Sequence, residues 1–468
     1  MISKIFTTAV LSVLVAGCTM IPKYERPDMS VSEKWPKGNA YLMTDKAGKA
    51  ADIAWKDYFQ SESLKQIIER ALENNRDMRV AVLNIQAAQA AYRIQRSDSL
   101  PSVNGSVSGT RQNVPDNASS TGAEYTATSV GANVGITAYE LDFFGRVRSL
   151  NQKALETYLA TEEAKTSTRI SLISETANAY LSYLGNKKLL QLALDTYESD
   201  KKTYEVVKKS YDLGAGTQLE VYQADTSVQS AKTAVAQYTR LTAQAKNALE
   251  LLAGTSVDDL LENGDTIDNI GFMKDLPEGV PSEVLLSRPD IRRAEHSLKA
   301  ANADIGAARA AFYPTFSLTG SMGLASDNLS TLFTSGSALA WNFTPSMTIP
   351  IFNRGRTKAN LEVAEISEKI AAANYEKALQ TAFKEAADAL AARGTYRAQM
   401  DAQNDLVSSA RKTYELSEMR YKNGVSSFLT LLDSQRTLFS AEQGAVGVKQ
   451  AYLSNLVTLY KVLGGGQI

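Results

Sequence analysis

Histidine is nearly missing from this chain, and so is cysteine. Of 468 residues one is His, His296, and one is Cys, Cys18. A lone imidazole and a lone thiol disfavour a His-based catalytic centre or a His/Cys metal site. One cysteine cannot close an internal disulfide. Net charge is also missing: 50 basic residues face 51 acidic ones, so nothing points to a nucleic-acid partner. No Gly-x-Ser-x-Gly elbow, phosphate loop or metal cluster is visible, which argues against an enzyme and against a bound cofactor. Beyond the N-terminus no run of about 20 apolar residues occurs, so a mature chain that crosses a bilayer does so as strands. Proline is absent between Pro115 and Pro277 and after Pro350.

What is present begins with Cys18. Met1-Ile2-Ser3-Lys4 precedes an apolar run from Ile5 to Val15, then Ala16-Gly17-Cys18. The run is too short to span a bilayer and ends in small residues, as a cleaved signal does. Val-Ala-Gly-Cys resembles a bacterial lipobox, which implies lipidation of Cys18 as the first mature residue. Thr19 in place of an aspartate implies, by the same resemblance, delivery to the outer membrane. Residues 19 to about 60 are polar and carry Pro22, Pro27 and Pro36, so they read as an extended tether.

The chain is then written twice. Tyr211-Asp-Leu-Gly with Leu219 returns as Tyr421-Lys-Asn-Gly with Leu429, at an offset of 210 residues. Phe144-Gly145-Arg146 has its counterpart at Gly355-Arg356, and Pro101 at Pro314. A period this long means a duplicated domain-sized unit, not a short solenoid. The spacing of Leu64, Ile67, Ile68, Ala71 and Leu72 predicts one helix from Ser63 to about Ser97. Period-two stretches follow. Val103, Gly105, Val107 and Gly109 alternate with polar residues, as do Val130, Ala132, Val134, Ile136 and Ala138. In the second copy Phe316, Leu318, Gly320, Met322 and Leu324 alternate, and then Leu339, Trp341 and Phe343. One side is apolar and the other small and uncharged, as membrane barrel strands require. Trp341 and Phe343 suit either an interfacial aromatic girdle or ordinary core packing.

Helical spacing dominates the rest, with Ile173, Ala177, Tyr180 and Leu184 in one copy and Phe383, Ala387, Leu390 and Gly394 in the other. Helices over about 145–212 and 357–423 would each run roughly 100 Å at 1.5 Å per residue. Gly214 and Gly424 stop them, and return helices follow over 218–253 and 427–463. The resulting division is a signal at 1–17, a tether at 18–62, a first repeat at 63–260, a connector at 261–281, a second repeat at 282–463 and a tail at 464–468. Four strands cannot close a barrel, and open edges are not tolerated in lipid, so several chains must share one.

Several linked motifs resemble the outer-membrane factor family, the TolC/OprM-like efflux ducts, in the lipoprotein branch that serves RND pumps. They are Ile305-Gly-Ala-Ala-Arg-Ala-Ala-Phe-Tyr-Pro314, Ser287-Arg-Pro-Asp-Ile291, Tyr139-Glu-Leu-Asp-Phe-Phe-Gly-Arg146, Arg420-Tyr421 with Gly424, Leu431-Leu-Asp-Ser-Gln-Arg436, and the final Leu-Gly-Gly-Gly. The resemblance implies an α+β membrane protein. Its homotrimer would form a twelve-stranded outer-membrane β-barrel, four strands per chain, continuous with a long periplasmic α-helical barrel. It implies passive export of drugs, toxic compounds or metal ions, with a periplasmic adaptor and an inner-membrane RND pump as partners. The helical turns at 211–225 and 421–436 would then close the periplasmic end. Asp433 would form a ring of carboxylates on the axis. Arg420 and Tyr421 would bond to neighbouring hairpins, with Tyr211, Asp212 and Glu220 as candidate partners. The repeat sets Gln223 opposite Asp433, so one copy lacks that carboxylate. A periplasmic adaptor lipoprotein is the alternative, although such chains carry one hairpin and Val/Gly-rich strands.

Overall fold

A computed structural model describes residues 19–41, 48–120, 122–262, 264–273, 276–334 and 338–468; the signal segment and Cys18 lie outside them. The main elements fall into two matching sets. The first is α1 (Glu62–Asn74), α2 (Arg76–Ser97), β1 (Val103–Val114), β2 (Tyr125–Leu141), α3 (Arg146–Asp212) and α4 (Gln218–Ala253). The second is α5 (Pro281–Ser287), α6 (Pro289–Ala310), β3 (Thr315–Ser326), β4 (Ala338–Thr348), α7 (Arg356–Lys422) and α8 (Phe428–Val462). α3 and α7 are 67 residues each, offset by 210.

The single helix expected over 63–97 is two. Asn75 leaves the helical region, and its side-chain oxygen accepts from the amides of Asp77 and Met78 at 2.9 and 3.1 Å. It therefore ends α1 and caps α2. The second copy breaks at Arg288, where Pro289 disfavours an α conformation for the preceding residue.

The chain forms two compact units. Unit 1 holds residues up to Pro27, Ile85–Thr161 and Arg293–Tyr375. Its centre is one antiparallel sheet in the order β1-β2-β3-β4, with β1 and β4 at its edges. The register gathers the apolar positions. Val107 opposes Ala132, Ala132 opposes Leu324, and Leu324 opposes Leu339; Val134 opposes Met322, which opposes Trp341. Directly opposed residues in antiparallel strands share a face, so one apolar face runs across all four strands. Asn104, Asn133, Ser321 and Asn342 fall on the other. Trp341 and Phe343 are 74% and 63% exposed, so neither is core.

The alternation read through Ala138 fails there. The β2–β3 register shifts between Ile136 and Tyr139, and Ala138 takes a positive φ of 51°. The bulge keeps Tyr139 and Leu141, opposite Leu318 and Phe316, on the apolar face. Glu140 thereby stays off it and accepts from Arg146 at 2.8 and 2.5 Å.

The segment from Thr19 to Pro27 is anchored in unit 1. Asn302 donates to the Pro22 carbonyl at 2.9 Å, and Arg26 forks onto Glu295 at 2.9 and 3.0 Å. Burial alone would raise the Glu295 carboxyl, but Arg26 and Lys299 outweigh it and hold it below its ordinary value.

Unit 2 comprises Asp28–Asn84, Glu162–Arg292 and Glu376–Ile468. Its core is aromatic. Tyr58 stacks on Tyr460 at 4.1 Å, with Phe59 and Phe272 against them. The segment read as tether therefore supplies Trp35, Trp55, Tyr58 and Phe59 to this core. Ile173, Ala177, Tyr180 and Leu184 are buried in it, as the coiled-coil spacing requires. The terminal glycines close it. Gly464 takes a φ of 84° and ends α8, Gly465 lies flat on the Tyr460 ring, and the Gly466 amide donates to the Tyr460 hydroxyl at 2.8 Å.

A Cβ at 465 would collide with that ring, because the space is already filled. We expect Gly465→Ala to cost about 1–3 kcal/mol by overpacking, read as a lower thermal midpoint. By contrast Gly424→Ala meets open space and is strained only by its φ of 71°, a cost of about 1 kcal/mol. Equal midpoints for Gly465→Ala and the parent would refute the packing account.

Candidate functional site

The two helical turns of unit 2 are built by one device used twice. At the end of α3 the Gly214 amide donates to Tyr211 O at 2.9 Å and the Ala215 amide to Ser210 O at 2.9 Å. At the end of α7 the Gly424 amide donates to Tyr421 O at 2.9 Å and the Val425 amide to Arg420 O at 2.8 Å. This pair of bonds, with glycine at a φ of 73° and 71°, satisfies the last helical carbonyls and reverses the chain. The tyrosine and arginine of the motif thus serve the turn through their backbone as well.

The return helices start differently. In α4, Thr217 and Glu220 form a reciprocal capping box: the Glu220 carboxylate accepts from the Thr217 amide at 2.9 Å and its hydroxyl at 3.0 Å. In α8, the Ser427 hydroxyl accepts from the Thr430 amide at 3.4 Å and lies 3.1 Å from the Thr430 hydroxyl, with no carboxylate returning to the Ser427 amide among the described residues. The second turn is therefore the less tightly capped of the two.

Between the turns lies a small apolar cluster. Val207 of α3, Ala224 of α4 and Phe428, Leu431 and Leu432 of α8 are buried together, with Tyr414 and Tyr421 of α7 packed against them. The Tyr421 ring lies 5.4 Å from that of Phe428. Burial, with the negative charge of Glu220 nearby, raises the Tyr421 hydroxyl above its ordinary value. Leu431, Leu432 and Ser434 all face inward, and Asp433 is left exposed among them. Helical geometry fixes this: with Leu431, Leu432 and Ser434 inward, position 433 falls on the opposite face of the helix.

Of the six residues singled out from the sequence, Tyr211, Asp212, Arg420 and Asp433 are exposed. Tyr421 is half-buried, and Glu220 is engaged in its own helix cap. Within one protomer, among the described residues, no ion pair joins Arg420 to Asp212 or Glu220. The turns are brought side by side by the apolar cluster, with Asp212, Arg420 and Asp433 exposed. His296, the single histidine, has its Nδ1 at 2.6 Å from Glu156 Oε2, tying α6 to α3 within unit 1.

Sequence reasoning missed Asp200. It sits on α3 at the level of the cluster, 6% exposed, and accepts from Gln435 Nε2 at 2.5 Å. Burial pushes its carboxyl up to about 6, against the opposing pull of Gln435 and Arg436. The available signal was the repeat: the residue 210 positions on is Ala410. Among the described residues no group of His, Cys, Asp and Glu is placed to hold a metal ion.

Comparison with known proteins gives one consistent picture. The family model for outer membrane efflux proteins matches residues 67–255 and again 280–465. The antibiotic efflux pump outer membrane protein ArpC of Pseudomonas putida is 44% identical over 467 residues, covering 100% of this chain and 96% of its own length. A toluene efflux pump outer membrane protein, TtgC, also of Pseudomonas putida, matches to the same extent, 44% over 467 residues, with the same 100% and 96% coverage. Among solved structures, the open state of the MtrE outer membrane channel of Neisseria gonorrhoeae superposes with a TM-score of 0.88 at 39% identity, covering 96% of this chain and 99% of that one. With a family model spanning both copies and relatives matched end to end, the chain belongs to the outer membrane efflux protein family.

Proposed function

We propose that this chain is the protomer of an outer-membrane exit channel in a tripartite RND-type efflux system. It passes drugs or other toxic compounds from pump to exterior without catalysing a reaction itself. The observation that carries this reading is the sheet: four strands, one face with an apolar band across all of them, and two edges with no partner strand among the described residues of the chain. In hydrocarbon an unpaired strand edge leaves amides and carbonyls unsatisfied at several kcal/mol each, so edges must close. Known barrels begin at about eight strands; three copies of this sheet supply twelve. The homotrimer follows, with Trp341 and Phe343 on its lipid-facing surface.

Names of the relatives support organic cargo, since one is an antibiotic and one a toluene efflux protein. A passive duct needs a pump and a periplasmic adaptor to load it, and these are its partners in this reading. The adaptor alternative has no support left, because the family match spans both copies.

The paired turns are the periplasmic gate. Asp433 of each protomer faces the axis and forms the constricting, cation-selecting ring. Arg420, Tyr421, Tyr211, Asp212 and Glu220 are the groups through which neighbouring hairpins hold one another. Supporting this is their position on one protomer around a cluster that is itself well buried. Cys18 carries the lipid anchor, and the contacts of Pro22 and Arg26 hold the adjoining segment to α6.

Planar-bilayer recording of the purified full-length protein tests the gate. The parent is expected to give small cation-selective currents, and Asp433→Ala larger ones with weaker cation preference. Unchanged conductance and selectivity in Asp433→Ala would remove this residue from the constriction. For the anchor, labelled palmitate should enter the parent protein and not Cys18→Ser; label retained in Cys18→Ser would place the lipid elsewhere.

A further inference from the structure

Duplication makes each half a control for the other. Residues 210 apart occupy equivalent places in α3 and α7, which have the same length and the same terminal turn. At one such pair both positions are buried, Ala410 at 5% and Asp200 at 6% exposed. Alanine suffices to fill this place in one copy. The other copy fills it with a carboxylate, a choice that costs desolvation and adds no apolar contact.

Every element packed around Asp200 contributes to its setting. From α8, Gln435 donates at 2.5 Å and Arg436 adds positive charge without forming an ion pair. From α4, Ser227 and Ser230 line a cavity of about 100 Å³ that Asp200, Thr196 and Gln435 also border. From α7, the Tyr414 hydroxyl is near enough that Asp200 helps to raise it, after burial and Glu418. Among the described residues no titratable cation pairs directly with the carboxylate. Its direct partner is a neutral amide, and that amide stands two residues from Asp433 on the same helix.

We propose that Asp200 is a positioning residue for the closed gate: it ties the first hairpin to the turn of α8 that carries Asp433, and its burial there favours closure when the carboxyl is neutral. The proposal rests on the reading of the turns as the gate.

The sign follows from burial. In the packed state the carboxyl lies at about 6, against 3.8 in water. Its neutral form is therefore favoured by packing. That stabilisation is complete below the solvent value and is lost as pH rises through about 6. If the turns part and water reaches Asp200, the closed-to-open ratio changes by roughly ten-fold per pH unit between the two values. Mild acid shuts the gate and neutral pH loosens it.

The test is open probability of the full-length protein in planar bilayers from pH 3.5 to 8, for the parent, Asp200→Asn, Gln435→Ala and Asp433→Ala. We expect the parent to open as pH rises from about 4 to about 6 and to level off above that. Asp200→Asn, a permanently neutral isostere, should behave at pH 8 as the parent does at the acid end of the range, with no step between. Gln435→Ala removes a donor that favours the charged form, so its step should move to higher pH. That shift is one a merely structural contact would not produce, and it keeps the idea testable should Asp200→Asn fold poorly. An unchanged step in Asp200→Asn, an unmoved one in Gln435→Ala, or no step in the parent would overturn the inference. If Asp433→Ala widens the channel while these profiles fail, only the role of Asp200 falls. If Asp433→Ala changes nothing, the gate assignment falls with it.

Discussion

A strand edge cannot face lipid, and this chain brings two of them. Everything distinctive about its unit 1 is a response to that constraint. Four strands are too few to curl closed, so β1 and β4 must be completed by other copies. The polar face is kept small, with Gly, Ser, Thr and Asn, which suits the lumen of a shared barrel better than a packed core. The bulge at Ala138 belongs to the same logic. It costs a strained φ and delivers Tyr139 and Leu141 to the apolar face while Glu140 leaves it for Arg146.

Unit 2 answers a different demand. Long helices cannot hold each other by a pair of flanks alone, so a compact aromatic core around Tyr58 and Tyr460 fixes them. Far along the sequence from that core, the turns keep only the cluster around Phe428. A region held by few apolar contacts opens more readily than one held by many. The turns proposed as the gate are thus held by a much smaller cluster than the aromatic core. The two copies diverge at that point. One turn has a full capping box and the other a single serine cap; one buried place holds Asp200 and the other Ala410. Duplication supplied the architecture, and departures from it supply the candidates for function.

Much of this was legible in the sequence. Proline-free stretches and Gly214 and Gly424 located α3 and α7 and their ends, because a positive φ at a helix terminus has few other occupants. Period-two spacing located the strands for the same kind of reason: the apolar face is one-sided. The helix break at Asn75 was hidden, since asparagine at the end of one helix and cap of the next looks like any polar surface residue. The bulge was hidden because an extra residue in a strand leaves the composition unchanged and only the partner strand reveals it. Among the residues proposed for the gate, the motif picked out Asp433 and Tyr421, while the role of Glu220 in a helix cap was readable from Thr217 three residues before it and was passed over. Asp200 was passed over because a carboxylate on a charged helix is ordinarily solvated; the repeat, which sets Ala410 at the equivalent place, was the signal for it.

The central claim is that one chain is a third of a barrel. The most direct measurement is the stoichiometry of the full-length protein extracted from outer membranes in mild detergent, by sedimentation or light scattering corrected for bound detergent. The account predicts three copies held together, dissociating only when the fold is lost. A folded, stable monomer would leave β1 and β4 as open edges in lipid and contradict it.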